Sequence, residues 1–504
     1  MRALLSAMIL LVSGTMNFCL STNYFVSNSG NNTRSGLSLA NAFLTLQKTT
    51  EVVGAGDTVF VQDGTYAGFD LRDVFGTTTK PVVYKALGQN TLINQKGPRR
   101  DDGINIEGCD FIVIDGFNVK DMAGGGNGIR LVLANHCTVR NCWCDHNAER
   151  GIFTGFTDDI LIEHNRCSNS VDEHGIYVSN SSDRPIIRYN ECWNNTGCGI
   201  HINGDESMGG DGIISDAQVY GNLLHDNNRA AGINMDGVEH PLIYNNVIYN
   251  NHQAQGIALF QQDGAIVTHG AKIYNNTIVV PDDGRWGILM YDGAQQNTEI
   301  YNNIIITQHS WRGCISAENM TGLKSDYNIF SNSLSNQGDG TSITFTQWQA
   351  LGVDKHSVLA GAFSNLFLNF DGRDFQLSEN SPAVNNGKGS LVASLVTNDY
   401  NSNPRPSDSE YDIGAYEYQL PTLNSAIRKG SLNVYPNPAT NFIMVDHKPN
   451  VTHYAIVSTS GQIVKRGNFG SGKRVELGDI PGGIYVLKTF SAEQTENRKF
   501  VVER

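Results

Sequence analysis

The sequence predicts an all-β chain: a parallel β-helix solenoid followed by a small C-terminal β-sandwich. Three observations carry this reading. A Gly-Ile pair returns at Gly128, Gly151, Gly175, Gly199, Gly232, Gly256 and Gly287, at intervals of 23, 24, 24, 33, 24 and 31 residues. An asparagine series runs in step with it, at Asn141, Asn165, Asn190, Asn222, Asn246, Asn276 and Asn303. The residues between are rich in Val, Ile, Tyr and Thr, with alternating stretches such as IRLVL, IYVS, IHIN and INMD, which is strand chemistry rather than helix chemistry. A repeat of this length is too short to be a domain and must stack on its neighbours to bury a core. One repeat therefore reads as one coil, with neighbouring coils about 4.8 Å apart.

The elements follow in order. Residues 1–21, MRALLSAMILLVSGTMNFCLS, carry one Arg and an apolar run too short to span a bilayer, and read as a signal peptide. Residues 22–70 read as an N-terminal cap and first coil: a helix with Leu39, Phe43, Leu46 and Val52-Val53 on one face, then GDTVFVQDGTY as strand and turn. A helix there covers the otherwise open first coil. The solenoid proper is assigned to 71–335, and 336–420, with its prolines and Asp/Gly turns, to an irregular terminal cap. A linker at 421–430 leads to 431–504, whose alternating strands and Asn-Pro, Ser-Gly and Pro-Gly-Gly turns predict the sandwich.

Coil corners leave backbone groups without ladder partners. An asparagine there tolerates left-handed angles, and its amide can bond the next coil. Two residues beyond each Asn runs a largely apolar column, Trp143, Cys167, Cys192, Leu224, Ile248, Ile278 and Ile305, expected to stack inside. Cys167 and Cys192 are neighbours in that column, either bridged or stacked as thiols. The two long repeats carry their excess in 204–213 and 263–271, which read as loops framing a binding face.

The chain has 36 Lys+Arg against 50 Asp+Glu, a formal charge of −14, which disfavours nucleic acid or an anionic membrane as partner. A local basic patch for an anionic glycan remains compatible with it. No paired C-x-x-C spacing marks a metal site.

YFVSNSGNNTRSG, FLTLQK and GDTVFVQDGTY resemble the opening of secreted, pectate-lyase-like right-handed parallel β-helix proteins, and the repeats of 103–330 resemble the same superfamily. SPAVNNG, NPRP and DIGAYEY resemble a segment that often follows such helices. VYPNPATNFIMV, GGIYVLKT and KFVVER are similar to the C-terminal sorting domain of the Bacteroidetes type IX secretion system. The resemblance implies passage across the outer membrane, by way of that secretion machinery, to a secreted or surface-attached location. The chain is expected to be a monomer. A fold of this kind fixes no substrate.

With each Gly-Ile isoleucine pointing inward, alternation places the next residue outward: Arg130, Phe153, Tyr177, His201, Asn234, Ala258 and Leu289. Two residues on come Val132, Gly155, Ser179, Asn203, Asp236, Phe260 and Tyr291. Tyr177, His201, Asn203, Asn234 and Asp236 thus share one face over about 10 to 15 Å, the span of two or three sugars. Asp205 lies in the adjoining loop, and Arg150, Glu173 and His174 at the preceding corner. Three functions are compatible with this set. In polysaccharide β-elimination, Arg150, Asn203 or Asn234 binds a uronate carboxylate while His201 and Tyr177 serve as base and acid, or the reverse. Arg130 and His174 join the substrate-binding set. No lysine stands on these strands, so a lysine base is not expected. No cofactor is required, though calcium would have Asp205, Glu206, Asp211 and Asp236 as ligands. In glycoside hydrolysis, Asp236 pairs with Glu173 or Asp205. In a non-catalytic glycan binder, Phe153, Tyr177 and Phe260 act as platforms.

Overall fold

The computed structural model describes residues 21–419, 433–446, 453–458, 462–469, 474–490 and 495–504. The signal-peptide and linker assignments fall almost wholly outside these residues. The chain divides into two units, Met1–Tyr418 and Gln419–Arg504.

The first unit is a three-walled parallel solenoid. Two walls hold 12 strands and the third holds 10. The first coil already starts at Asn23–Val26, which pairs in parallel with Thr58–Val61. The expected capping helix is broken into a 3-10 turn at Leu39–Asn41 and one helical turn at Leu46–Thr49. Phe43 interrupts it by bridging to Val26, which puts Phe43 and Leu46 in the core and leaves Leu39 exposed.

The Gly-Ile marker has a packing cause. A Cβ added at Gly128, Gly151, Gly175, Gly199, Gly232 or Gly256 would stand 2.6, 2.6, 2.8, 2.9, 2.9 and 2.7 Å from the carbonyl oxygen of the next glycine in the series. The coils approach one another too closely there for any side chain. The adjoining isoleucines are fully buried and pair in register, Ile129 with Ile152 and on through Ile176, Ile200, Ile233 and Ile257 to Ile288.

The asparagine ladder runs from Asn165 through Asn190, Asn222, Asn246, Asn276 and Asn303 to Asn328. In each, the side-chain oxygen accepts the backbone N–H of the preceding rung, and the amide donates to a carbonyl one coil back. Asn141 is out of step: Cys142 occupies its rung, with its N–H on Asn165, while Asn141 bonds Asp115. The inner column accordingly begins with Cys144, and Trp143 points outward. Left-handed angles fall one residue before each rung, at His164, Tyr189, Asn245, Asn275 and Asn302, not on the rungs themselves. Cys144, Cys167 and Cys192 are adjacent in register, and all eight described cysteines are buried free thiols. A second, shorter ladder (Asn195, Asn227, Asn251) parallels the first, five residues further along each coil.

Residues 336–418 pack against the last coils, where Arg405 and Glu417 form an ion pair with both side chains fully buried. The second unit is antiparallel, a three-stranded sheet and a four-stranded sheet around a core that includes Ile443, Val475, Leu487 and Phe500.

Candidate functional site

The outward column forms as expected. Arg130, Phe153, Tyr177, His201, Asn234, Ala258 and Leu289 are register partners across successive strands of the third wall. Its depth differs from the expectation. Tyr177 is 9% exposed, and Ala258 and Leu289 are buried, so the accessible polar part ends near Asn234.

Three coils bring their corner and strand residues together. Tyr177 stacks on His201, ring centroids 4.8 Å apart, and meets Phe153 edge-on at 5.6 Å. The Arg150 guanidinium lies 5.2 Å from the Phe153 ring and 5.0 Å from the Tyr177 ring. It pairs with Glu149 and, at 3.4 Å, with Glu173. His174 Nε2 is 2.9 Å from Glu173 and 3.0 Å from His201 Nδ1, while His174 Nδ1 accepts the Cys198 N–H at 2.9 Å. Asn203 donates to the Tyr177 hydroxyl at 3.1 Å, and Asn234 bonds the Cys198 thiol.

The environment sets proton affinities. Burial pushes the Tyr177 phenol above its usual value, against the opposing bonds from Ser179 and Asn203. Burial, then the nearby His174 and Arg150, hold His201 well below the ordinary imidazole value. The hydrogen bond from His174 leads in holding Glu173 below the usual carboxylate value. Tyr177 therefore rests as the phenol and His201 as a neutral imidazole.

Three expectations need correction. Asp236 is 1% exposed, and its two oxygens accept the backbone N–H groups of Gln262, Asp263 and Gly264 at 2.9, 2.7 and 3.2 Å. That carboxylate anchors a loop and has no free edge for acid–base work, so its pairing with Glu173 or Asp205 fails. Asp205 is half-exposed and accepts from Ser207 at 2.6 Å within its own turn. The carboxylates named for calcium do not gather: among the described residues, the one group of three or more metal-type donors within mutual reach is His174, Cys198 and His201, with donor atoms within 4.8 Å of one another. Arg130 sits two coils from Tyr177, bound to Asn105 at 2.7 Å and to Glu107 at 3.4 Å. The loops at 204–213 and 263–271 do flank the wall and bond each other, Ala265 N–H to Gly212 and Glu206 N–H to Asp263.

Glu149 and Cys198 belong to this cluster and were not foreseen. A signal existed. Arg150, His174 and Cys198 each stand one residue before a Gly-Ile pair, and Glu149 and Glu173 two before, so corner positions repeat as faithfully as strand positions. A separate groove of about 1130 Å³ lies elsewhere on the solenoid, where Lys120 caps the Trp143 ring at 3.2 Å and Arg166 faces it at 4.9 Å.

Comparison with known proteins accords with the fold. Residues 51–258 match the family model described as periplasmic copper-binding protein (NosD), and 433–503 match that of the secretion system C-terminal sorting domain. The crystal structure of pectate lyase Pel9A is similar at a TM-score of 0.54 and 17% identity, over 80% of this chain and 98% of that one. An alginate lyase from Paenibacillus sp. str. FPU-7 gives 0.41 at 18% identity, over 52% and 91%. The complex of XylC with xylose gives 0.46 at 11%, over 79% and 98%. No curated protein matches the chain. The sorting domain marks a secreted or cell-surface protein. The chain is a right-handed parallel β-helix protein that ends in a secretion-system sorting domain.

Proposed function

We propose that this protein cleaves an acidic extracellular polysaccharide by β-elimination on the third wall. The observation that carries the reading is the packing of Arg150, His201 and Asn203 around the single hydroxyl-bearing ring of Tyr177. The arginines at this wall, Arg72, Arg100, Arg130 and Arg150, are ion-paired with Asp102, Glu107, Glu149 and Glu173. An anionic chain enters such a surface by ion-pair exchange, which makes binding strongly dependent on salt. Of the two role assignments open in the sequence, we take Tyr177 as base, because His201 Nδ1 is committed to His174. The phenolate takes the proton beside the uronate carboxylate; the electron pair forms the ring double bond and expels the glycosidic oxygen, which recovers the proton from the phenol. Incubation with uronate-containing and neutral polysaccharides, read by the absorbance of the unsaturated product and by reducing ends, tests this. Absorbance without loss on Tyr177→Phe, or reducing ends without absorbance, rules it out.

One observation favours hydrolysis as the second reading: Glu149 and Glu173 both reach the Arg150 guanidinium, so two carboxylates face the same space. The copper named in the matched family's description fits the residues poorly. The nitrogen and sulfur donors of His174, Cys198 and His201 are of the right type, but both nitrogens of His174 are committed to other partners.

A further inference from the structure

The hydrogen bonds around His174 fix where its proton sits. Its Nδ1 accepts the Cys198 N–H, so in the neutral ring the proton is on Nε2. That N–H lies 3.0 Å from His201 Nδ1 and 2.9 Å from the Glu173 carboxylate, so His174 Nε2 has no lone pair with which to accept from His201, and the proton of neutral His201 is held on Nε2. A proton on His174 Nδ1 would set two N–H groups against each other at the Cys198 contact, and with His174 protonated on Nε2 a proton on His201 Nδ1 would do the same at the contact between the two rings. His201 Nε2 is buried without a partner among the described residues, and so is Arg150 Nε. A buried donor left without an acceptor destabilises the resting protein, and here two of them border the same Tyr177 ring.

Resting on the elimination reading, we propose that His201 Nε2–H and Arg150 Nε form the subsite that receives the carboxylate of a uronate residue, with His174 as the positioning residue that keeps the proton on that nitrogen of His201. His201 is then a neutral donor that stabilises the charge growing on the carboxylate as the neighbouring carbon loses its proton, and not the base. A neutral donor suits this place because it pairs with the developing charge without needing a counter-ion in the resting site. The same order of protons leaves no lone pair on His174 for a metal ion.

The test is two-part. The full chain, labelled with 15N-histidine, gives the tautomer of His201 from long-range 1H–15N spectra, with its signals assigned by their loss in His201→Gln. The expected result is protonated Nε2 and bare Nδ1. His174→Phe should give a mixture of both forms, and His174→Gln, whose amide can still donate, should restore the order. A proton on Nδ1 of His201 in the unaltered protein overturns the proposal. Calorimetry then compares trigalacturonate, trimannuronate and triguluronate with maltotriose. At least one acidic trisaccharide should bind in preference to maltotriose and weaken about tenfold or more in His201→Phe and in Arg150→Gln. Equal affinity for maltotriose, unchanged affinity in both variants, or no binding of any acidic trisaccharide overturns the subsite. Binding without cleavage leaves the subsite standing and removes only the elimination.

Discussion

Asn246→Ala should destabilise the solenoid far more than Asn141→Ala, although the two asparagines look equivalent in the repeat. The Asn246 side chain is fully buried. Its oxygen accepts the Asn222 N–H at 3.0 Å, and its amide donates to the Val219 carbonyl at 2.9 Å. Truncation leaves those two buried backbone groups without their partners and also breaks the bonds to the neighbouring Asn222 and Asn276 side chains. At about 1–3 kcal/mol for each unmade buried bond, the loss is about 2–6 kcal/mol. Asn141 carries no rung. Its amide bonds the Asp115 side chain on the part-exposed outer surface, and replacement there should cost about 1 kcal/mol, part of it from the left-handed angle at that residue. Urea unfolding followed by circular dichroism gives both values, and amide exchange at residue 222 reports the local opening. Equal losses for the two variants, or less than about 1 kcal/mol for Asn246→Ala, would refute the argument that the ladder is a buried hydrogen-bond spine.

Tyr177 is held above the ordinary phenol value, so a phenolate base is scarce at neutral pH, and kcat/KM should climb as pH rises across the alkaline range; a rate flat above neutrality would remove Tyr177 from that role. Arg405→Met leaves Glu417 charged and unpaired in a site where both side chains are fully buried, and should cost about 3–5 kcal/mol by urea unfolding. Burial raises Asp412 from 3.8 to about 7. Its folded form therefore holds a proton that the unfolded chain has lost, and this group's contribution to stability falls as pH rises between those two values. Asp412→Asn should flatten that part of the stability curve, and an unchanged slope would contradict the assignment. Burial also raises Cys142, Cys144 and Cys167 well above the ordinary thiol value. A thiol reagent should thus find no reactive group in the described solenoid until the protein is unfolded.

The sequence displayed the solenoid because its repeat is enforced by contacts that admit few residue types. Only glycine fits where the next coil's carbonyl would meet a Cβ, and the adjoining position must be a branched apolar residue to fill the core. Such positions recur and can be counted. What escaped was phase and depth. Asn141 and the rung position differ by one residue, and only the register of Trp143 with Arg166, and of Cys144 with Cys167, shows which is inside. Asp236 occupied the outward column as expected, yet the loop at 261–264 folds back over it and consumes its oxygens. An inserted loop carries no periodicity, so nothing in the repeat could announce where it would land.

The column itself argues for where chemistry can lie. From Asn234 onward its members become Ala258, Leu289 and Ser316, all buried, and a substrate has no polar surface to follow there. Toward the other end, Arg130 and Asn105 are bonded to each other, and Asp70 to Asn105 at 3.0 Å. Between these limits the strand column and the corner column converge, because Arg150 and His174, each one residue before a Gly-Ile pair, meet the rings of Phe153, Tyr177 and His201. Consecutive coils that place Arg150, His174 and Cys198 at the corner, beside an aromatic stack, concentrate every proton-bearing and charged group of this region within two coil spacings. Moving any one of them by a single coil, about 4.8 Å, would take it out of hydrogen-bonding reach of the others. The spacing of the repeat is therefore as much a part of the site as the side chains. Inserting one residue between Glu173 and Gly175 should abolish uronate binding while leaving the buried ladders, and hence the solenoid's resistance to urea, close to unchanged; retained binding would show that the corner column plays no part.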